Sequence, residues 1–337
     1  LGPVGGGKSS LAEKLKASIN DVPFVWEEKS FNVGCCIGMV PITANANLDE
    51  LMQTADAACY FAKEQGRDKV VMTHLGAEDI TARRVQHQWI DKIRAALNED
   101  RFYLDVQKLV PKSSIVPPRI EVLVRMRDEH NQVVSPGEFI PAAERYDLVH
   151  LIDRWVIKRV CTYLKTYADE LEGIQAIHVN ISGRTFDHDD FIDYTLSLIH
   201  QMQIPANKLC FEITETAAVS NISDVYTFME VLREEGSTFA LDDFGSGLAS
   251  FSYLRQLPVE YLKIDGSFVQ NISTDDVDKA MVAAINKVGH ALNKIMVAEF
   301  VEDQQAVEIL QSMGIEYMQG YHLHKPESFE SLMESYR

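Results

Sequence analysis

The sequence predicts an α/β protein in two parts: a (β/α)₈ barrel over residues 98–337, preceded by a smaller, partial α/β unit. From Phe102 onward, short apolar runs alternate with segments of helical period, the pattern of strands laid down with crossover helices. Nearly every run ends in a polar residue, and barrels of this kind keep their active sites at the C-terminal ends of their strands. Residues 1–75 follow a shorter pattern, and a mixed-charge helix at 76–97 joins the two parts.

The chain opens LGPVGGGKSS, in which Gly2, Gly7, Lys8 and Ser9 fit the spacing of a phosphate-cradling P-loop. SLAEKLKASI follows with apolar residues at helical spacing, then two β-rich runs within FVWEEKSFNVGCCIGMVPI. LDELMQTADAACYFAKEQ is amphipathic, with Leu51, Ala55, Ala58, Cys59 and Ala62 along one face. GRDKVVM adds a glycine turn and a short strand. The barrel strands are then RFYLDVQ, RIEVLVRM, AIHVNIS, LCFEITE, TFALDDF, EYLKID, KIMVAEF and EYMQGY, with helices such as IDRWVIKRVCTYL and AMVAAINKVGHAL between most of them.

Composition narrows the function. The formal charge is −18, which argues against nucleic-acid backbone binding. No stretch approaches the apolar length of a membrane span, so no membrane contact is expected. The five cysteines form no C-x-x-C pair, which argues against a disulfide framework or zinc site and fits a reducing cytoplasm. The chain starts without Met and reads as a piece of something longer, which leaves room for a membrane anchor upstream.

The polar residues at the strand ends form one set: Gln107, Glu121, Asn180, Glu212, Asp242, Asp243, Lys263, Glu299 and Gln319. Any one acid at a strand end is most simply a helix cap or turn residue. Eight successive strands ending this way are not. Carboxylates gathered at one barrel mouth would repel unless paired, and hard oxygen ligands in this number suit Mg²⁺ or Mn²⁺. Two such ions are a common device for phosphodiester hydrolysis.

In EVL at 121–123, VNIS at 179–182, FEITET at 211–216, LDDFGSG at 241–247, LKID at 262–265, AEFVE at 298–302 and QGY at 319–321, the chain resembles the EAL domains. The resemblance implies a TIM-type barrel that hydrolyses cyclic di-GMP to linear pGpG with two Mg²⁺ or Mn²⁺ ions. It implies that Glu121, Asn180, Glu212 and Asp242 hold one metal, that Asp242 and Asp243 reach the second, and that Glu299 stands at the same centre. Lys263 and Glu299 would orient or deprotonate the attacking water, either being the base, with Glu121 the catalytic signature acid. Gln107 and Arg125 would contact substrate, and Gln319 would lie near the water. Glu215 would hold the DDFGSG loop, which the family also uses to form a homodimer. The chain departs from the family at Val122, where Ala is usual, at Lys108, where Pro is usual, at Ser246, where Thr is usual, and at Phe300, where Gly is frequent.

VGCCIGMVPI and ADAACYFAKEQGRDKV resemble the second half of a GGDEF domain, without the signature that makes cyclic di-GMP. The opening GPVGGGKSS resembles the P-loop of PrkA-type bacterial serine kinases. Three readings follow: an active phosphodiesterase, a cyclic di-GMP receptor that does not turn over, and a P-loop nucleotide-binding protein.

Overall fold

The computed structural model describes residues 6–20, 24–26, 29–31, 34–42, 48–64, 68–73, 79–245 and 253–337. The chain divides into two compact units, Leu1–Lys92 and Ile93–Arg337. In the first, the helix Gly6–Asn20 carries Gly7, Lys8 and Ser9 in its opening turn. Gly2 and the rest of the expected phosphate loop lie outside the described residues. Phe24–Trp26 and Lys29–Phe31 form an antiparallel pair. Ile37–Met39 runs parallel to Val70–Met72, joined through the helix Leu48–Glu64. Ala58 and Ala62 on the predicted apolar face of that helix are buried.

The second unit is a closed barrel. Its strands are β1 (Phe102–Pro111), β2 (Arg119–Arg127), β3 (Ile177–Asn180), β4 (Leu209–Thr214), β5 (Thr238–Phe244), β6 (Tyr261–Ile264), β7 (Ile295–Ala298) and β8 (Tyr317–Met318). From β2 to β8 each strand lies parallel to the next, and β1 closes the ring between β8 and β2. β1 departs from regular alternation. It runs antiparallel to both neighbours, with Gln107 directly opposite Glu121 and Met318 opposite Val110. A parallel crossover needs about a dozen residues or more. The connection at 112–118 is shorter than that, so β1 and β2 form a hairpin.

Helices Val149–Thr166, Phe191–Met202, Ile222–Glu234, Asp276–Ala291 and Gln304–Met313 follow the later strands. Between β4, β5 and the helices outside them, Phe211, Phe228 and Phe239 pack with centroids 5.3–5.7 Å apart. Some strand-end polar residues are caps. Thr214 accepts from the Ala217 N–H, and Asp265 accepts from the Ser267 N–H at 2.7 Å. No helix among the described residues is long and apolar enough to cross a membrane.

Candidate active site

The site stands on an apolar floor. Leu109, Ala176, Cys210, Ala240, Tyr261, Val297 and Tyr317 pack as one buried cluster inside the barrel. Residues two apart on a strand share a face. One pleat toward the strand ends therefore places Gln107, His178, Glu212, Asp242, Lys263, Glu299 and Gln319 in the layer above. On β2 the same parity carries Arg119, Glu121, Leu123 and Arg125 in succession from floor to mouth. Val122, of opposite parity to Glu121, is buried on the other face, as expected.

Lys263 is the hub of this layer. Its ammonium is wholly buried and lies 2.6 Å from Glu212, 2.8 Å from Glu299, and 3.3 Å from both Glu121 and Asp242. Burial works against its charge, but Asp242, Glu121, Glu212 and Glu299 outweigh that and hold it protonated well above the usual lysine range. Glu121 Oε1 accepts from Asn180 Nδ2 at 2.6 Å, and Oε2 accepts from Gln319 Nε2 at 2.7 Å. Burial pushes Glu121 up, yet Lys263 and these donors bring it below the ordinary carboxylate range. The other acids go the opposite way. Burial and neighbouring acids raise Glu212 well above its usual value, raise Asp242, lift Asp243 to about 6 and lift Glu299 to about 8, despite the opposing pull of Lys263. One lysine does not neutralise five acids.

Adjacent strand residues normally face opposite ways, so Asp242 and Asp243 need a local device to share the mouth. The register between β5 and β6 slips between Leu241 and Phe244, and Asp243 takes a left-handed φ of 54°. Such an irregularity re-aims a side chain. Carboxylate oxygens of Asp242, Asp243 and Glu299 consequently lie within 4.8 Å of one another. Gln319 Oε1 is buried with no hydrogen-bond partner among the described residues, a state that a water or cation relieves. All-oxygen donors, surplus negative charge and an unpartnered acceptor fit hard divalent cations.

A cavity of about 320 Å³ opens beside the acids, lined by Gln107, Arg125, Phe300, Gln319, Tyr321 and Pro326, among others. Gln107 Oε1 accepts from Gln319 at 3.0 Å, and Arg125 pairs with Asp105 at 2.8 Å. Phe300 is 53% exposed and holds φ at 52°, unusual for a bulky residue. Its ring covers Gly266, where an added Cβ would lie 2.1 Å from Phe300 Cδ2. Glu215 is buried, and its carboxylate accepts from the Gly245 N–H at 2.9 Å. Ser246 and Gly247 of the same motif lie outside the described residues.

Two residues of this interior were not anticipated. His178 and Arg119 are both buried beneath Glu212. His178 Nδ1 lies 2.5 Å from Glu212 Oε1, and Arg119 Nη1 lies 3.1 Å from His178 Nε2. Burial, Arg119 and Lys263 keep the imidazole neutral by lowering it well below the usual histidine range. The available signal was parity: His178 precedes Asn180 by two and Arg119 precedes Glu121 by two. Elsewhere Asp147, His150 and His188 also gather, but the two rings stack at 3.7 Å, so their planes run side by side rather than converging on an ion.

An acid-lined, closed barrel with one buried lysine and room for divalent cations is the architecture of a metal-dependent hydrolase domain. The chain belongs to the EAL domain family, which it matches over residues 90–326. It is 35% identical over 335 residues to the cyclic di-GMP phosphodiesterase PdeB of Shewanella oneidensis, a match covering 97% of this chain and 39% of that protein. It is 31% identical over 330 residues to the bifunctional diguanylate cyclase/cyclic di-GMP phosphodiesterase MucR of Pseudomonas aeruginosa, covering 97% and 47%. The chain thus spans less than half the length of these relatives. The structure of the PaMucR phosphodiesterase in complex with c-di-GMP superposes with a TM-score of 0.68 at 30% identity, covering 73% of this chain and 99% of that one.

Proposed function

We propose that the barrel hydrolyses cyclic di-GMP to linear pGpG with Mg²⁺ or Mn²⁺, as a cytoplasmic element of bacterial second-messenger signalling. The observation that carries the reading is the gathering of Glu121, Glu212, Asp242 and Glu299 around Lys263, with Asp243 brought in by the β5 irregularity. Glu121, Asn180, Glu212 and Asp242 would hold one ion, and Asp242, Asp243 and Glu299 face the other. When bound, the two ions supply the Lewis acidity that lowers the pKa of water and offsets charge gathering at phosphorus.

The chain's own residues do the rest. Arg125 and Gln107 line the cavity and bind the substrate's phosphate and polar edges. Gln319 turns its unpartnered oxygen to the attacking water. Lys263 and Glu299, 2.8 Å apart, form the pair that orients that water and takes up its proton. Glu215 fixes the strand-end turn at Gly245 that follows the two aspartates. We include in the same reading a homodimer formed through the barrel and an N-terminal unit, residues 1–75, that is the rear half of a GGDEF domain. The match to MucR over nearly the whole chain supports the latter.

The test is chromatography of cyclic di-GMP incubated with the protein in Mg²⁺ or Mn²⁺. Linear pGpG from the wild type and none from Glu121→Ala supports the reading; no product from folded, metal-loaded protein overturns it. Phe300, whose ring stands in the cavity wall, favours a second reading as a cyclic di-GMP receptor, for which tight binding without product is the signature. The P-loop reading requires nucleotide turnover that Lys8→Ala abolishes.

A further inference from the structure

Glu212 has no free oxygen geometry of its own: both oxygens are assigned by neighbours. Oε2 accepts from Lys263 at 2.6 Å, while Oε1 meets His178 Nδ1 at 2.5 Å. The far nitrogen of the same ring, Nε2, meets Arg119 Nη1 at 3.1 Å. A guanidinium has donors and no acceptor. Nε2 must therefore present its lone pair to Arg119, which leaves the proton on Nδ1, where it is donated to Glu212.

Arg119 is itself tied down. Its Nε donates to Gln175 Oε1 at 3.1 Å, and that oxygen also accepts from Tyr317 OH at 2.6 Å. The guanidinium carbon sits 4.0 Å over the Tyr261 ring. With His178, these residues come from β3, β6, β8 and the stretch just before β3, so the barrel floor fixes the guanidinium from several sides. Arg119 and His178 are 4% and 0% exposed, and neither can reach a substrate in the cavity.

We propose that His178, held in its Nδ1–H tautomer by Arg119, is a positioning residue that orients the Glu212 carboxylate for divalent-metal binding. The inference rests on the metal-dependent reading of the site. It assigns the His178–Arg119 pair a role through Glu212 and none in contact with substrate. Partners that orient a metal-binding side chain change affinity by about 10–100-fold when removed.

The experiment measures Mn²⁺ binding alone, without nucleotide, from the paramagnetic resonance signal of free Mn²⁺ over the full chain. His178→Leu removes the donor and is expected to weaken binding by about 10–100-fold. His178→Asn places an amide N–H near the Nδ1 position and is expected to restore most of the affinity. Equal binding by wild type and the Leu variant overturns the inference, as does equal loss in the Leu and Asn variants. Wild type that binds no Mn²⁺ overturns the metal reading together with the inference. Should the Leu variant fail to melt cooperatively, ¹⁵N spectra of the wild-type imidazoles decide: an Nδ1–H tautomer at His178 is expected, and an Nε2–H tautomer overturns the inference.

Discussion

Lys263→Met removes a buried cation that touches four of the five site acids. The ammonium is wholly buried, so solvent does not screen the loss. It lies within 3.3 Å of Glu121, Glu212, Asp242 and Glu299, and methionine fills the space without replacing the charge. Breaking a buried ion pair by deleting one partner costs about 3–5 kcal/mol, because the remaining charge is stranded. At roughly 2–4 °C per kcal/mol for a unit of this size, the melting temperature in chelator should fall by roughly 6–20 °C. Two secondary trends follow from the same electrostatics. Saturating Mg²⁺ should recover part of the loss, since added cations offset the stranded acids. Acid pH should also narrow the gap, since those acids can take up protons. Calorimetry in EDTA and in Mg²⁺, at neutral and mildly acid pH, reads all three. A variant that melts within about 2 °C of wild type in EDTA would refute the argument that Lys263 holds the acid layer together. Hydrolysis of cyclic di-GMP should drop by roughly 10²–10⁴-fold, the range for a lost proton-handling group.

Asp153 is buried, accepts from the Ser182 N–H at 3.0 Å and from the Thr185 hydroxyl, and burial raises it to about 7. The folded state therefore binds a proton that the unfolded chain, ionising near 3.8, has released. Its contribution to stability is present below the unfolded value and lost as pH rises toward about 7, to a total of at most roughly 4 kcal/mol. Asp153→Asn should flatten that slope between pH 4 and 7 in denaturant titrations, and an unchanged slope would count against it. Glu215→Ala leaves the Gly245 N–H without its acceptor and should cost about 1–3 kcal/mol, with a matching loss of kcat/KM for cyclic di-GMP. Glu215→Gln, which keeps an acceptor oxygen, should recover part of both; a full-strength Ala variant would remove Glu215 from its supporting role.

The acid layer was legible in the sequence because polar residues interrupt one short apolar run after another: Glu121 near the start of RIEVLVRM, Glu212 within LCFEITE and Lys263 near the end of EYLKID. Glu121, Glu212 and Lys263 needed no long-range knowledge for that reason. Four features escaped it. His178 sits inside an apolar-looking run, and a buried histidine looks the same in sequence whether it packs or hydrogen-bonds. Arg119 opens β2 and reads as a surface residue until its neighbours Tyr261 and Tyr317, far along the chain, are in place. The antiparallel β1 depends on the length of the 112–118 connection rather than on strand character, and alternation alone does not encode direction. The left-handed Asp243 likewise belongs to the register between two strands, not to either segment by itself.

The contact between Phe300 and Gly266 constrains how this sequence can change over generations. A side chain at position 266 collides with the ring at 2.1 Å, so any replacement there is harmful while Phe300 stands. Once position 300 has become glycine, the three nearest obstacles to that Cβ, all atoms of the Phe300 ring, are gone. The two changes are tolerated in one order only, so the ring must be lost first. A library that varies both positions should show this as sign epistasis, with survivors at 266 confined to backgrounds that have already given up the aromatic. Lineages that carry the phenylalanine are in that sense locked to glycine at the end of the neighbouring strand, and the two positions are inherited as a pair.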